Sequence, residues 1–201
     1  MTKKLKLLAA ADIHGDSKLT KKLAERADKE NVDLVVLCGD LIGWKETSGI
    51  IKPFKDKNKP VLILPGNWED FATTDFLASF YDVKNIHGYS AIYKDIGIFG
   101  AGGADSGPGF ISEKNLWKTL QKAHEPIRDM KSKIMLTHMH PEGSKSEWSG
   151  FKGSASIRRA IREFKPSILL HGHIHEAAGM EEEIYGTRVI NVKKEGTIIE
   201  L

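Results

Sequence analysis

Three short apolar runs fill the first third of the chain, and each stops abruptly at a polar motif. Lys4–Ala11 ends at Asp12-Ile13-His14-Gly15-Asp16, Val32–Cys38 at Gly39-Asp40, and Lys59–Leu64 at Pro65-Gly66-Asn67. Between the first two runs, Ser17–Lys29 places Leu19, Leu23, Ala24 and Ala27 on one helical face and charges elsewhere. Val32–Cys38 is apolar almost throughout, as a strand buried on both faces of a parallel sheet has to be. In open α/β sheets, ligands sit beyond the carboxyl ends of the strands. The polar motifs occupy that position.

The rest of the chain reads similarly. Phe71–Tyr81 has helical character. Ile86–Gly88, Ser90–Lys94 and Ile96–Gly100 read as short strands, with a hairpin turn at Lys94-Asp95. The Gly-rich stretch Ala101–Gly109 lacks the lysine and strand–helix setting of a phosphate-binding loop, so it reads as a connector. Glu113–Met130 is predicted helical with Ser112 as N-cap, and Ser154–Phe164 is predicted helical up to Pro166. Strands are expected at Lys133–Thr137, Ser167–Leu170, Glu181–Tyr185, Thr187–Val192 and Gly196–Leu201, with a polar loop at His140–Gly153. No repeat or linker interrupts the pattern, which predicts one α/β domain over residues 1–201.

Composition narrows the class. With 201 residues, 40% of them apolar, the chain is long enough to build a core. No apolar run approaches the roughly 18 residues of a membrane span. One cysteine, Cys38, excludes a disulfide framework. Thirty basic side chains against 27 acidic ones give a net charge of +3 without a clustered basic stripe, which argues against a nucleic-acid partner. The Lys-rich start is followed by an apolar stretch too short for a secretory signal. Together with the lone cysteine this predicts a cytoplasmic protein.

The histidines are unevenly spread. His14, His138, His171, His173 and His175 lie at or just past predicted strand ends, and His140 follows two residues after His138. Asp12, Asp40 and Asn67 hold equivalent places. If parallel strands gather these ends on one edge, Asp12, His14, Asp40, Asn67, His138, His173 and His175 converge. Carboxylates with neutral imidazoles form a ligand set for divalent Mn, Fe, Co, Ni or Zn. Seven side chains exceed the needs of one ion and suit two ions sharing a carboxylate. The absence of cysteine from the set argues against a structural zinc site. Any one of these residues alone would be an ordinary turn or surface residue. The ordered recurrence carries the inference.

Asp12-Ile13-His14, Gly39-Asp40, Gly66-Asn67-Trp68-Glu69, His138 and Gly172-His173-Ile174-His175 resemble, in order and spacing, the motifs of the calcineurin-like metallophosphoesterase superfamily, most closely its small stand-alone members. The resemblance implies a four-layer α/β/β/α sandwich of two facing sheets flanked by helices. It implies that Asp12, His14, Asp40 and His175 hold one metal, and that Asp40, Asn67, His138 and His173 hold the second, with Asp40 bridging. It further implies hydrolysis of phosphoesters by a metal-bridging hydroxide that attacks phosphorus in line. In such a site Asp40 and Asn67 serve catalysis directly, and Asn67 also meets the substrate.

The third motif departs from the family pattern. Gly-Asn-His-Asp/Glu is usual, whereas this chain reads Gly66-Asn67-Trp68-Glu69. The missing histidine is the one assigned to protonate the leaving group, and indole Nε1–H only donates a hydrogen bond. Trp68 is therefore expected to bind substrate, by donating to a phosphoryl oxygen or by stacking on an aromatic or nucleobase group. Losing an acid worth about 10²–10⁴-fold favours good leaving groups, which points to a phosphodiesterase of restricted range. His140 is the candidate replacement acid, on the premise that an extended segment turns it to the same side as His138. The expected partner is a small, nucleotide-like phosphoester rather than a membrane. Lys145, Lys152, Arg158 and Arg159 are candidate contacts for a second phosphate or a ribose group. The competing expectation is a non-catalytic scaffold on the same fold, motivated by Trp68; retention of all seven ligand-type side chains argues for the enzyme.

Overall fold

The computed structural model describes residues 4–43 and 49–201. Two mixed sheets face each other. The first holds β1 (Lys6–Ala10), β2 (Leu34–Cys38), β3 (Val61–Leu64), β4 (Lys84–Asn85) and β11 (Thr197–Glu200), in the order β11-β1-β2-β3-β4. The second holds β5 (Ser90–Tyr93), β6 (Ile96–Ala101), β7 (Ser132–Thr137), β8 (Ile168–His171), β9 (Glu181–Ile184) and β10 (Thr187–Asn191), in the order β5-β6-β7-β8-β10-β9. β1 to β4 run parallel, as do β6, β7, β8 and β10. The antiparallel strands β11, β5 and β9 close sheet edges.

Alternation along the strands builds the layers. In β1, Leu7 and Ala9 face the space between the sheets, where they meet Val36, Leu62, Ile98, Leu136 and Leu170. Leu8 and Ala10 face outward, against α1 (Ser17–Lys29), α2 (Lys52–Asp56) and α3 (Phe71–Phe80) through Leu23, Phe54 and Leu77. On the far side, Phe99, Met135 and Leu169 pack under α4 (Glu113–His124) and α5 (Ala155–Phe164). The result is the expected α/β/β/α sandwich.

Helix boundaries follow their caps. The carboxylate of Asp16 accepts from Leu19 N, that of Asp70 from Thr73 N, and the hydroxyls of Ser112 and Ser154 from Asn115 N and Ile157 N. Three details differ from the sequence reading. The helix expected over Glu113–Met130 stops at His124 and continues as a 3-10 turn, Glu125–Ile127, because Pro126 has no N–H to extend the helical ladder. The expected strand at Ile86–Gly88 is displaced to Lys84–Asn85, and His87 makes only an isolated bridge to Gly100. The short helix α2, opened by Pro53, had no distinct hydrophobic periodicity to signal it.

Candidate metal centre

Every strand end that carries a ligand-type motif opens toward one place. The β1–β2 ladder runs on past both strands: Asp12 N donates to Gly39 O (3.1 Å), and His14 N to Asp40 O (2.9 Å). The second sheet does the same, with Gly172 N donating to His138 O (3.0 Å). These continuations hold the motif loops in fixed register across the edge.

The backbone there is strained. Asp12, His14, Asp40 and His173 adopt φ of 57°, 47°, 53° and 71°, a left-handed region that side chains other than glycine rarely occupy. Such strain persists only where the surroundings enforce it, and it concentrates at functional sites. Glycine makes room beside it. A Cβ on Gly39 would approach His138 Nδ1 to 2.5 Å, and one on Gly66 would overlap the Asp40 carboxylate.

The seven side chains form a continuous cluster. Asp12, His14, Asp40 and His175 each offer a ligand atom within 4.8 Å of the others. Asp40 faces both halves, with Oδ2 3.7 Å from His14 Nε2 and Oδ1 3.5 Å from His138 Nε2. Asn67 Oδ1 lies 3.0 Å from both His138 Nε2 and His173 Nδ1. Backbone donors aim the carboxylates: Asn67 N and Trp68 N donate to Asp40 Oδ1 (2.8 and 3.0 Å), and His173 N to the Asp12 carboxylate.

The donor chemistry calls for a cation. His138 Nδ1 donates to Cys38 O (2.8 Å), which leaves the Nε2 lone pair as the one the ring can offer a metal. That lone pair faces Asn67 Oδ1, another acceptor. His14 Nε2 and His175 Nε2 stand 3.3 Å apart, close enough for both to reach one ion. A positive ion among these atoms turns repulsion into coordination. A carbonyl partner on the opposite ring nitrogen is also how metal-binding histidines are commonly oriented.

Electrostatics point the same way. Burial, reinforced by the nearby His138, holds His173 down to about 3, and burial holds His14 below the usual range. Burial alone would raise Asp12, but its hydrogen bond to His175 and the surrounding imidazoles bring it below the ordinary carboxylate value. Neutral imidazole and ionised carboxylate are the ligating forms. His175 is raised by its bond to Asp12.

The remaining candidates are placed as follows. Trp68 is half-buried, its indole edge-on to His14 with centroids 4.7 Å apart. His140 is buried, and its Nε2 donates to Phe151 O (3.2 Å) while the ring lies 6.2 Å from that of His171. Its ring hydrogen bond therefore ties the 140–153 loop together rather than reaching into the seven-residue cluster. Residues 138–140 do not turn both imidazoles to one purpose. The four candidate cations have structural partners. Lys145 meets Glu182 and Glu181 through its backbone and side chain, and Lys152 pairs with Glu142. Arg158 bonds Glu142 O and covers Tyr185; Arg159 pairs with Glu163 and covers Trp117.

Sequence reasoning missed three supports. Glu69 is 1% exposed and accepts from Gly66 N (2.8 Å), Leu41 N (3.0 Å) and Ile42 N (3.4 Å). It staples the Asp40 loop to the Asn67 loop. Burial pushes it up to about 7. The connector after β6 cradles the Asn67 loop, with Gly103 N donating to Pro65 O and Gly109 N to Asn67 O. Asn191, at the end of β10, donates from Nδ2 to Ile174 O (2.9 Å) and so steadies the Gly172–His175 loop. Only a polar residue closing an apolar strand signalled that last contact.

The sequence profile of the calcineurin-like phosphoesterases matches residues 5–177, a span that contains every motif of the cluster. The chain belongs to that family. Among solved structures, this phosphoesterase is similar to TT1561 of Thermus thermophilus, at 18% identity and TM-score 0.78 over 96% of this chain and 91% of the other. It also resembles a dimetal phosphatase from Danio rerio (12% identity, TM-score 0.64, 95% and 88% covered). A third likeness is to a novel archaeal phosphodiesterase (18% identity, TM-score 0.56, 98% and 100% covered). These likenesses show the fold. No protein of curated function matches the chain in sequence. Membership makes this a metallophosphoesterase fold, and Asp12, His14, Asp40 and His175 lie close enough together to hold a metal ion. Among the described residues, no helix is long and apolar enough to cross a membrane.

Proposed function

We propose that this chain is a two-metal phosphodiesterase that works without the usual leaving-group histidine. Asp12, His14, Asp40 and His175 would hold one ion; Asp40, Asn67, His138 and His173 would hold the other. The position of Asp40, with one carboxylate oxygen toward each half, suits the shared ligand. Bound there, divalent Mn, Fe, Co, Ni or Zn supplies Lewis acidity and brings a water toward ionisation at neutral pH. The protein's part is to fix that arrangement in advance, through strained loops, backbone donors on Asp40 and the Glu69 staple.

The observation that carries the diester reading is a cleft on each flank of the cluster. One, of about 360 Å³, is lined by Ile42, Gly43, Asn67, Trp68, Gly107 and Pro108. The other, of about 330 Å³, is lined by Asp12, His14, His175 and Lys194 with their neighbours. A phosphorus with two ester arms uses both sides, whereas a monoester uses one. The indole edge and the apolar walls beside Asn67 suit an aryl or nucleobase substituent. The indole N–H of Trp68 is a neutral donor suited to a phosphoryl oxygen, but no imidazolium stands there to protonate an alkoxide. The substrate is accordingly a small diester with a leaving group that departs unassisted. The single-domain reading over 1–201 and the cytoplasmic setting, supported by the buried thiol of Cys38, belong to the same proposal.

The test is a comparison of 4-nitrophenyl phosphate with bis(4-nitrophenyl) phosphate on protein stripped and reloaded with Mn²⁺. The diester should be turned over with the higher kcat/KM. A clear monoester preference would overturn the assignment.

A further inference from the structure

The cleft on the Asp12 side does not end at the metal-ligand cluster. Lys194 and Glu195, in the turn between β10 and β11, line it together with Asp12, His14 and His175. The same two residues line a second, adjoining groove of about 540 Å³ that runs along α1 past Asp16, Lys18, Lys22 and Arg26. The two spaces share the Lys194–Glu195 turn as a wall, and side by side they make a channel from the candidate metal cluster toward the helix.

Its charge is unbalanced. Along α1 four cations face two carboxylates, Asp16 and Glu195, and the cleft half adds a third, Asp12. Asp16 is already engaged, since its carboxylate accepts from Leu19 N (2.9 Å) as the helix cap. Arg26 is held by Glu30 and by the carbonyls of Glu195 and Gly196, which anchors the turn that carries Lys194. Lys18, Lys22 and Lys194 are exposed and make no ion pair among the described residues. Their neighbours on the same side of the sheet differ: Lys52, Lys55, Lys57 and Lys59 are paired with Asp56, Asp82 and Asp28. Lys18 and Lys22 lie four residues apart on α1, so they stand on one face, one turn apart. Like charges held on one face, none of them in an ion pair, raise the local potential and draw an anion.

Resting on the diesterase reading, we infer that this channel binds a second anionic group of the substrate, a phosphate on the ester arm that lies on the Asp12 side. The substrate class is then a small phosphodiester with an apolar or aromatic arm against Trp68 and a phosphorylated arm along Lys194, Lys22 and Lys18. The lysines are contact residues for that phosphate and take no part in the chemical step.

The experiment compares thymidine 5′-(4-nitrophenyl phosphate) with its 3′-phosphorylated counterpart on Mn²⁺-loaded protein. Because exposed ion pairs are weak and screened by salt, the 3′-phosphate should raise kcat/KM by ~5-fold, through KM, and the gain should shrink with added salt. In Lys22→Glu/Lys194→Glu the ratio between the two substrates should fall to one or below. An unchanged ratio in that variant, or no gain in the wild type, overturns the inference. Turnover of bis(4-nitrophenyl) phosphate by the wild type reports separately on the diesterase reading. Should that turnover be absent, calorimetric binding of thymidine 3′,5′-bisphosphate against the 5′-monophosphate decides the channel by itself. Tighter bisphosphate binding that the double variant abolishes supports it, and equal binding overturns it.

Discussion

The indole of Trp68 meets the imidazole of His14 edge-on at 4.7 Å, so the residue in the leaving-group position is packed against a candidate ligand of the first metal. Trp68 thus has two consequences in one place. It forms a wall of the apolar cleft and limits the rotation of His14. Trp68→Ala should lower kcat/KM for aryl diesters by ~10-fold, in keeping with the loss of one stacking surface. Trp68→His should help a diester with an alkoxide leaving group more than an aryl one, because only the former needs a proton. Equal effects on both substrates would dissociate Trp68 from leaving-group chemistry.

Glu69 should behave as a structural staple. Glu69→Ala leaves three backbone N–H groups of two adjoining loops without their acceptor. Unsatisfied buried donors cost about 1–3 kcal/mol each, so a loss of about 3 kcal/mol or more is expected in urea unfolding. Metal affinity should fall with it, since both Asp40 and Asn67 sit on the loops it joins. Wild-type stability in Glu69→Ala would refute this role.

A methyl group on Gly66 should be felt at Asp40. Its Cβ would overlap the Asp40 carboxylate and backbone, which leaves no room for the present position of Asp40. Gly66→Ala should retain its secondary structure by circular dichroism yet bind at most about one Mn²⁺ per chain. Full metal content would show that Asp40 can move aside without loss.

His87 predicts how stability follows pH. Its Nδ1 accepts from Gly102 N (3.1 Å), and the ring packs on Phe71, with centroids 4.7 Å apart. Burial holds its pKa down to about 4 against an ordinary 6.5. The folded-state value is the lower one, so the stability it contributes is complete above about pH 6.5. It is lost as the pH falls from there toward about 4, by up to about 3 kcal/mol. His171, held near 3 by burial, acts in the same direction. His87→Gln should therefore flatten, without abolishing, the fall in Tm between pH 7 and pH 4.5. An identical slope would assign the acid sensitivity elsewhere.

Local chemistry explains what was legible in the sequence. The Leu34–Cys38 run is apolar because both its faces are covered, and that signal exists in the residues themselves. The motifs at Asp12, Asp40, Asn67, His138 and His173 were visible because ligand-type residues after apolar strands are a local pattern. The rest depends on partners distant in sequence. Glu69 looks like any loop glutamate until Leu41 and Ile42 are placed beside it. His140 reads as a twin of His138, but the Phe151 carbonyl takes its ring nitrogen instead. Lys194 lies in an ordinary turn, and only the packing of β11 beside β1 brings it over the start of α1.

The most direct test of the account is a titration of metal-stripped protein with Mn²⁺, read by hydrolysis of bis(4-nitrophenyl) phosphate. Activity should rise to a plateau near two ions per chain, and His173→Ala and Asp40→Asn should stay at background at every Mn²⁺ level. Wild-type rates in either variant, or no turnover at two bound ions, would contradict the two-metal diesterase.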